Sequence, residues 1–383
     1  MKRVFVLTLM FIFLLSFNAW AAIDADDLFL EGMKAYVEAD YSQAVELFNR
    51  VIDLGDDYLA DASYYQTMSY FKQGNLSGAR DAHDKMKSLG FDHGYLYFIW
   101  GEVYLNVDGR WDQDDIERGV EKLERSREMG IDTACLYGHL ASAYSTKDEY
   151  QLAQRNYQRA LLREPTSAIY HSGLANVYLE LGEEKRAAEH LKEALNINPD
   201  QPGLMVKLGD IYYQIGEVAK FKDMYRQAIN NIPRQASLRQ QYGIYLYQLE
   251  EYDGAIDSLK KAVEINPSTY LPYFYLGRIY EELGELNEAR NYYQKTLKYN
   301  PQYSNAYLAL GDLMLEEQPY LAMARYSEAI EANPDYVAAH FSLARAYHKL
   351  DMREAAISQL EKTLRMNPEH EEAARLLEEI QED

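Results

Sequence analysis

The chain has 383 residues, 48% of them apolar, and 61 acidic against 39 basic side chains give it a formal charge of -22. Charge of that sign repels nucleic acid and anionic membrane surfaces, so neutral or cationic partners are favoured and nucleic acid is not expected. Cys135 is the only cysteine, so no intrachain disulfide can form and a cysteine-based zinc site is not expected.

Met1-Lys2-Arg3 is followed by an apolar run from Val4 to Phe17 and then by Asn18-Ala19-Trp20-Ala21-Ala22. A charged start, an apolar middle and a small-x-small exit predict a secretory signal peptide over residues 1–21, cleaved after Ala21. The remaining chain is then exported, in a bacterial cell to the periplasm, with no integral membrane domain after signal removal. The alternative is an uncleaved signal anchor with the rest of the chain outside the cytoplasm, because the 20 residues from Val4 to Ile23 have about the length that spans a bilayer.

Beyond Ile23 the chain is punctuated at a fixed interval. Pro165, Pro199, Pro233, Pro267, Pro301, Pro334 and Pro368 are separated by 34, 34, 34, 34, 33 and 34 residues, and a period of that size means stacked structural repeats. If each repeat is numbered so that its ladder proline is position 32, Gly55, Gly90 and Gly130 fall at position 31, where Asn198, Asn266, Asn300, Asn333 and Asn367 stand downstream. Glycine ends a helix by taking the left-handed conformation. The register predicts ten helix pairs beginning near Ala25, Ala60, Gly94, Ala134, Ala168, Pro202, Ala236, Tyr270, Ser304 and Val337. Residues 22–133 hold three repeats of looser form, residues 134–370 hold seven regular ones, and residues 371–383 form an amphipathic helix expected to cap the last pair.

Position 8 recurs as glycine or alanine (Gly32, Gly101, Ala141, Ala175, Gly209, Gly243, Gly277, Gly311, Ala344) except for Thr67, and position 20 as alanine or glycine except for Phe221. Glycine inside a helix costs about 1 kcal/mol against alanine, so its return at one offset predicts close approach of the paired helix. Tyrosines at position 24, namely Tyr157, Tyr225, Tyr293 and Tyr326, are read as packing residues.

Leu174, Ala175, Tyr178, Ala187, Leu191, Ala194 and Pro199 in one repeat, and Leu276, Gly277, Tyr280, Ala289, Tyr293 and Pro301 in another, resemble the tetratricopeptide repeat signature. The resemblance implies an all-α, right-handed superhelical solenoid of about ten helix-turn-helix repeats. It also implies that first helices line an inner groove in which extended peptides lie against positions 2, 5, 9, 12 and 13. In this sequence those positions supply Ser142, Asn176, Asp210, Tyr213, Gln240, Ile244, Tyr247, Phe274, Arg278, Leu308, Phe341 and Arg345 as candidates for partner binding.

No histidine pair at i, i+4 is present, nor any glycine-rich phosphate loop or Gly-x-Ser-x-Gly, so no catalytic set, metal or cofactor is expected. The extra residues 107–115 of the third repeat fit part of a calcium loop, but Tyr104 stands where its first aspartate is needed, and Asp112 or Asp114 suits helix capping instead. The expectation is a non-enzymatic interaction scaffold of the cell envelope that holds a protein or extended peptide. The alternatives are a glycan- or polymer-binding accessory protein of polysaccharide secretion, using the many tyrosines, and an enzyme with an unrecognised acidic site. Whether the chain forms homo-oligomers is left open.

Overall fold

The computed structural model describes residues 25–55, 57–90, 94–106 and 113–382, so the signal-peptide segment and residues 107–112 of the insertion lie outside the described residues. Among the described residues there are 21 α-helices and no strand, and no helix is long and apolar enough to cross a membrane. The chain divides into two compact parts, one running to Leu204 and including Ile211–Gly216, the other made of Met205–Asp210 and Glu217–Asp383.

In the first part the pairs are α1 (Ala25–Val37) with α2 (Tyr41–Leu54), α3 (Leu59–Lys72) with α4 (Leu76–Ser88), and α5 (Gly94–Asn106) with α6 (Gln113–Glu128). They continue as α7 (Ala134–Thr146) with α8 (Tyr150–Arg163) and α9 (Ala168–Glu180) with α10 (Glu184–Ile197). Then come α11 (Pro202–Gln214) and α12 (Val218–Asn231). The second part goes on with α13 (Ala236–Gln248) and α14 (Tyr252–Ile265), then α15 (Tyr270–Glu282) and α16 (Leu286–Tyr299). It ends with α17 (Ser304–Asp312) and α18 (Pro319–Ala332), α19 (Val337–Lys349) and α20 (Arg353–Met366), and the single helix α21 (Glu371–Glu382). All ten first helices begin within one residue of the places the period predicts.

Three local devices repeat. Between the helices of a pair, position 15 turns left-handed: Gly74, Gly182, Gly216 and Gly284 have φ of 73°, 71°, 78° and 76°. Ala39, Asp148, Glu250 and Asp351 take the same turn at 61°, 58°, 60° and 54°, where a β-carbon is strained. After the second helix, Asn266, Asn300, Asn333 and Asn367 are extended, with ψ of 91°, 89°, 96° and 92°, as a following proline requires. Each of these asparagines also accepts the backbone N–H two residues on, from Ser268, Gln302, Asp335 and Glu369, at 3.2 to 3.3 Å. Position 4 of the next first helix then ties down the proline carbonyl: the Tyr273 hydroxyl donates to Pro267 O at 3.1 Å and Arg239 Nε to Pro233 O at 3.2 Å. His171 and His340 occupy the same place, their Nε2 atoms 3.1 and 3.0 Å from the carbonyls of Pro165 and Pro334.

Inside each pair the small residues meet large ones. Ala153, Ala187, Ala255, Ala289, Ala322 and Ala356 at position 20 are fully buried. A β-carbon on Gly209 would lie 2.7 Å from the Tyr225 ring, and one on Gly277 would lie 2.5 Å from the Tyr293 ring. Position 8 is therefore small because a large side chain of the partner helix lies across it, a ring at Gly32, Gly209, Gly277 and Gly311 and a leucine at Gly101 and Gly243. Tyr157 is the exception that keeps Ala141, since its ring turns instead onto Gly173 of the next repeat. Phe221, the large residue at position 20, is fully buried against Tyr225, Tyr242 and Tyr245 at ring distances of 5.1 to 5.7 Å. Rings there do the filling that alanine does elsewhere.

Repeat nine is one residue short, and the loss falls in its turn. Helix α17 stops at Asp312, and Gln318 ahead of α18 has φ of -138° in place of a left-handed residue. At the end of the chain, Ala373 and Ile380 of α21 are buried against Ala344, Ala356 and Leu360, so α21 covers the apolar flank that the last pair cannot cover by itself.

Candidate functional site

In the second part the first helices lie side by side, α13 against α15 and α17 against α19, because the second helices occupy the opposite flank of each pair. The face they build carries a cleft of about 300 Å³ lined by residues of α13 (Tyr247), α15 (Phe274, Tyr275, Arg278, Glu281) and α17 (Asn305, Leu308, Ala309, Asp312), and by Tyr336 just before α19. Three successive repeats thus contribute to it.

One wall is aromatic. Tyr247 meets Tyr275 edge-on at 5.4 Å, Phe274 meets Tyr275 at 5.7 Å, and Tyr303 meets Phe274 at 5.0 Å. Such edge-to-face contacts hold the rings in place. Arg278 supplies the cation. Its guanidinium lies 4.0 Å from Glu281 and 3.5 Å from Glu282, beside the Tyr247 hydroxyl, yet its Nε is buried with no hydrogen-bond partner. Glu281 and Asp312 supply the anions.

Both carboxylates are held from behind by the tyrosines that cross the pair seam. The Tyr326 hydroxyl donates to Asp312 Oδ1 at 2.8 Å, and the Tyr293 hydroxyl donates to Glu281. Each ring is fully buried, so the carboxylate at its tip is positioned by the core. Burial first and the neighbouring carboxylate second push the phenol pKa values of Tyr293 and Tyr326 up, so both hydroxyls stay protonated donors.

Of the residues expected from position alone, Tyr247, Phe274, Arg278 and Leu308 come together in this cleft. Arg345 lies close enough to act on the charge of Asp312. Gln240 and Ile244 are half-buried on α13, and Asn176 is exposed on α9. Asp210 accepts the Tyr225 hydroxyl at 2.5 Å, while Phe341 packs on His370 at a ring distance of 4.6 Å beside the capping helix. Tyr213 is half-buried on α11. Ser142 lines a separate cleft of about 380 Å³ in the first part with Leu105, Cys135, Gly138, His139, Tyr157, Ile169 and Tyr170. Glu281, Asn305 and Asp312 had a signal, since they occupy positions 12, 2 and 9; Tyr275 and Tyr336 fall outside those positions.

A helical-hairpin array with a side-chain-lined face belongs to the class of repeat proteins that present binding surfaces. Family models described as TPR repeat or Tetratricopeptide repeat match residues 136–167, 175–216, 202–235, 245–284, 270–303 and 313–380, together more than half of the sequence. The chain belongs to the tetratricopeptide repeat family. No curated protein matches it. Among solved structures it is similar to MamA protein, at 24% identity over 45% of this chain and 95% of that one with a TM-score of 0.42. It is also similar to pilF of Pseudomonas aeruginosa, at 22% identity over 55% and 97% with a TM-score of 0.46. The APC/C hetero-tetramer Cut9-Hcn1 matches at 14% identity over 93% and 76% with a TM-score of 0.43. At these identities the likeness is one of fold alone.

Proposed function

We propose that this protein is a non-catalytic scaffold of the cell envelope that holds an extended segment of a partner protein in the cleft between Tyr247 and Tyr336. Tetratricopeptide repeat proteins are in general interaction scaffolds, which supports binding rather than chemistry. The observation that carries the specific reading is the composition of the cleft. Aromatic faces suit apolar side chains of an extended peptide, the Asn305 amide can meet its backbone, and Arg278, Glu281 and Asp312 fix its register through charge. With two carboxylates against one guanidinium in the lining, neutral or cationic segments are preferred.

An array of overlapping peptides from envelope proteins, followed by calorimetry on the best binders, tests this. Replacing Tyr247 and Phe274 together by alanine is expected to weaken the selected peptides by tenfold or more, since buried aromatic anchors commonly carry about 2 kcal/mol or more each. Unchanged binding by that double variant places the peptide elsewhere.

The envelope address rests on residues 1–21. Mass spectrometry of the chain recovered from cells is expected to find Ala22 as the first residue; a chain that retains Met1 and sediments with membranes supports the signal anchor instead.

A further inference from the structure

A separate cluster of side chains belongs to the first part. Cys135 and His139 are four residues apart on α7 and so project from one face of that helix. Glu102 reaches them from α5, which packs beside α7. His139 Nε2 is 3.0 Å from Glu102 Oε1, Cys135 Sγ is 3.8 Å from the same oxygen, and the three ligand atoms all lie within 4.8 Å of one another. It is the one such cluster of three among the described residues. Rules built on histidine pairs pass over it, because the i, i+4 partner of His139 is a cysteine.

The spacing can be compared with what a metal ion demands. With bonds of about 2.3 Å to sulfur and about 2.0 to 2.2 Å to nitrogen and oxygen, a tetrahedral ion holds its ligand atoms roughly 3.4 to 3.6 Å apart. The observed 3.0 and 3.8 Å lie on either side of that range and the remaining pair lies within 4.8 Å, so rotation of the side chains about their own bonds has to close the gaps onto one ion. Thiolate, imidazole and carboxylate together are the donor set of a borderline-soft divalent ion, not of calcium or magnesium. Three protein ligands leave a fourth position open. Cys135 and His139 also line the cleft of about 380 Å³ with Ser142, Tyr157, Ile169 and Tyr170, so an ion held by them faces a space large enough for a water molecule or a partner's side chain.

We propose that Glu102, Cys135 and His139 bind one Zn²⁺ ion whose fourth position opens into this cleft and is completed by water or by a ligand atom from outside the chain. The single cysteine therefore serves as a metal ligand, and the expectation that one cysteine rules out a zinc site does not hold for a mixed set.

The purified full chain, free of any histidine tag and stripped of metal, is titrated with Zn²⁺ against a chromogenic chelator and separately with Co²⁺. The expected result is uptake of one Zn²⁺ per chain and, with Co²⁺, a thiolate-to-metal charge-transfer band in the near ultraviolet. Cys135→Ser abolishes that band, and His139→Ala and Glu102→Gln each weaken Zn²⁺ binding by at least tenfold, the loss already typical of removing a supporting group. Far-ultraviolet dichroism shows whether each variant keeps its helices; if Cys135→Ser does not, the cobalt band of the unaltered chain decides alone. Absence of stoichiometric uptake, a cobalt spectrum without the thiolate band, or Zn²⁺ affinity unchanged in a folded Cys135→Ser chain overturns the assignment.

Discussion

The hydroxyl of Tyr326 on α18 reaches across its helix pair to Asp312 on α17 at 2.8 Å, passing over Gly311. Tyr225 makes the same crossing to Asp210 over Gly209, and Tyr293 crosses to Glu281 over Gly277. A buried ring, a residue with no side chain and a carboxylate thus form one unit that recurs in repeats six, eight and nine.

Tyr326→Phe keeps the packing and removes the donor. The expected loss is about 1.5 to 3 kcal/mol, the range for hydrogen bonds to charged groups, read as a lower urea midpoint. A loss below about 0.5 kcal/mol, within the usual range for substitutions that touch no special feature, would mean that water serves Asp312 equally well.

The same crossings give a stability profile in alkali. Burial first and the carboxylate second raise the phenol pKa values of Tyr225, Tyr293 and Tyr326 in the folded chain, while the unfolded chain keeps about 10. A folded-state pKa above the unfolded one contributes stability that is fully present below about pH 10 and lost as pH rises beyond it, because only the unfolded chain then releases these protons. Each tyrosine removes about 1.4 kcal/mol per pH unit in that window. Denaturant titrations from about two units below to about one unit above the ordinary phenol value of about 10 are expected to show a flat limb and then a fall, shallower in Tyr225→Phe.

Gly277→Ala tests the ring-over-glycine contact. Alanine gains about 1 kcal/mol of helix propensity, but its β-carbon would sit 2.5 Å from the buried Tyr293 ring, and overpacking costs about 1 to 3 kcal/mol. Net destabilisation is expected. Gly277→Ala should cost less in a Tyr293→Leu background than in the unaltered chain, since Ala175 with Leu191 and Ala344 with Leu360 already pair alanine with leucine at these positions. Thermal melts of the single and double variants supply the coupling; simple additivity would show that the two positions do not communicate.

Glu250→Gly is expected to stabilise the chain by about 0.5 to 1 kcal/mol. The left-handed turn at φ 60° strains a β-carbon by about 1 to 2 kcal/mol, and the greater freedom of glycine when unfolded offsets part of the gain. Gly284→Ala at the equivalent turn, φ 76°, should move stability the other way. Equal signs for the two changes would contradict a shared turn.

Removing the capping contact should loosen the end of the array before the rest. Ile380→Ala takes a buried side chain from α21 and is expected to cost about 2 to 4 kcal/mol. Hydrogen exchange should quicken in α19 to α21 while α13 to α16 keep their protection.

Much of the architecture was legible because one kind of residue had one job. A proline forces the residue before it to extend, so the ladder marks the end of the second helix in seven repeats, glycine marks it in the first three, and the ten starts follow by counting. The left-handed turn at position 15 was visible only where glycine holds it; Asp148, Glu250 and Asp351 carry no such mark, because the surrounding helices impose the strain on them. The crossings were hidden because the tyrosine at position 24 looks like a seam residue and the acid at position 9 or 12 like a solvated one. Helical period likewise pointed to Tyr247, Phe274, Arg278 and Leu308, whereas Tyr336 lies in a connection, where no period applies. Phe341 shows the reverse: its position suits a groove, but the neighbouring His370 takes its ring.

Each crossing is closed within a single repeat, whereas the cleft between Tyr247 and Tyr336 borrows side chains from three. Excision of one whole repeat between two ladder prolines would therefore leave every surviving hairpin internally complete while erasing the cleft. In such a molecule, evolution can rewrite what is held by shuffling modules, without first having to solve the folding problem again.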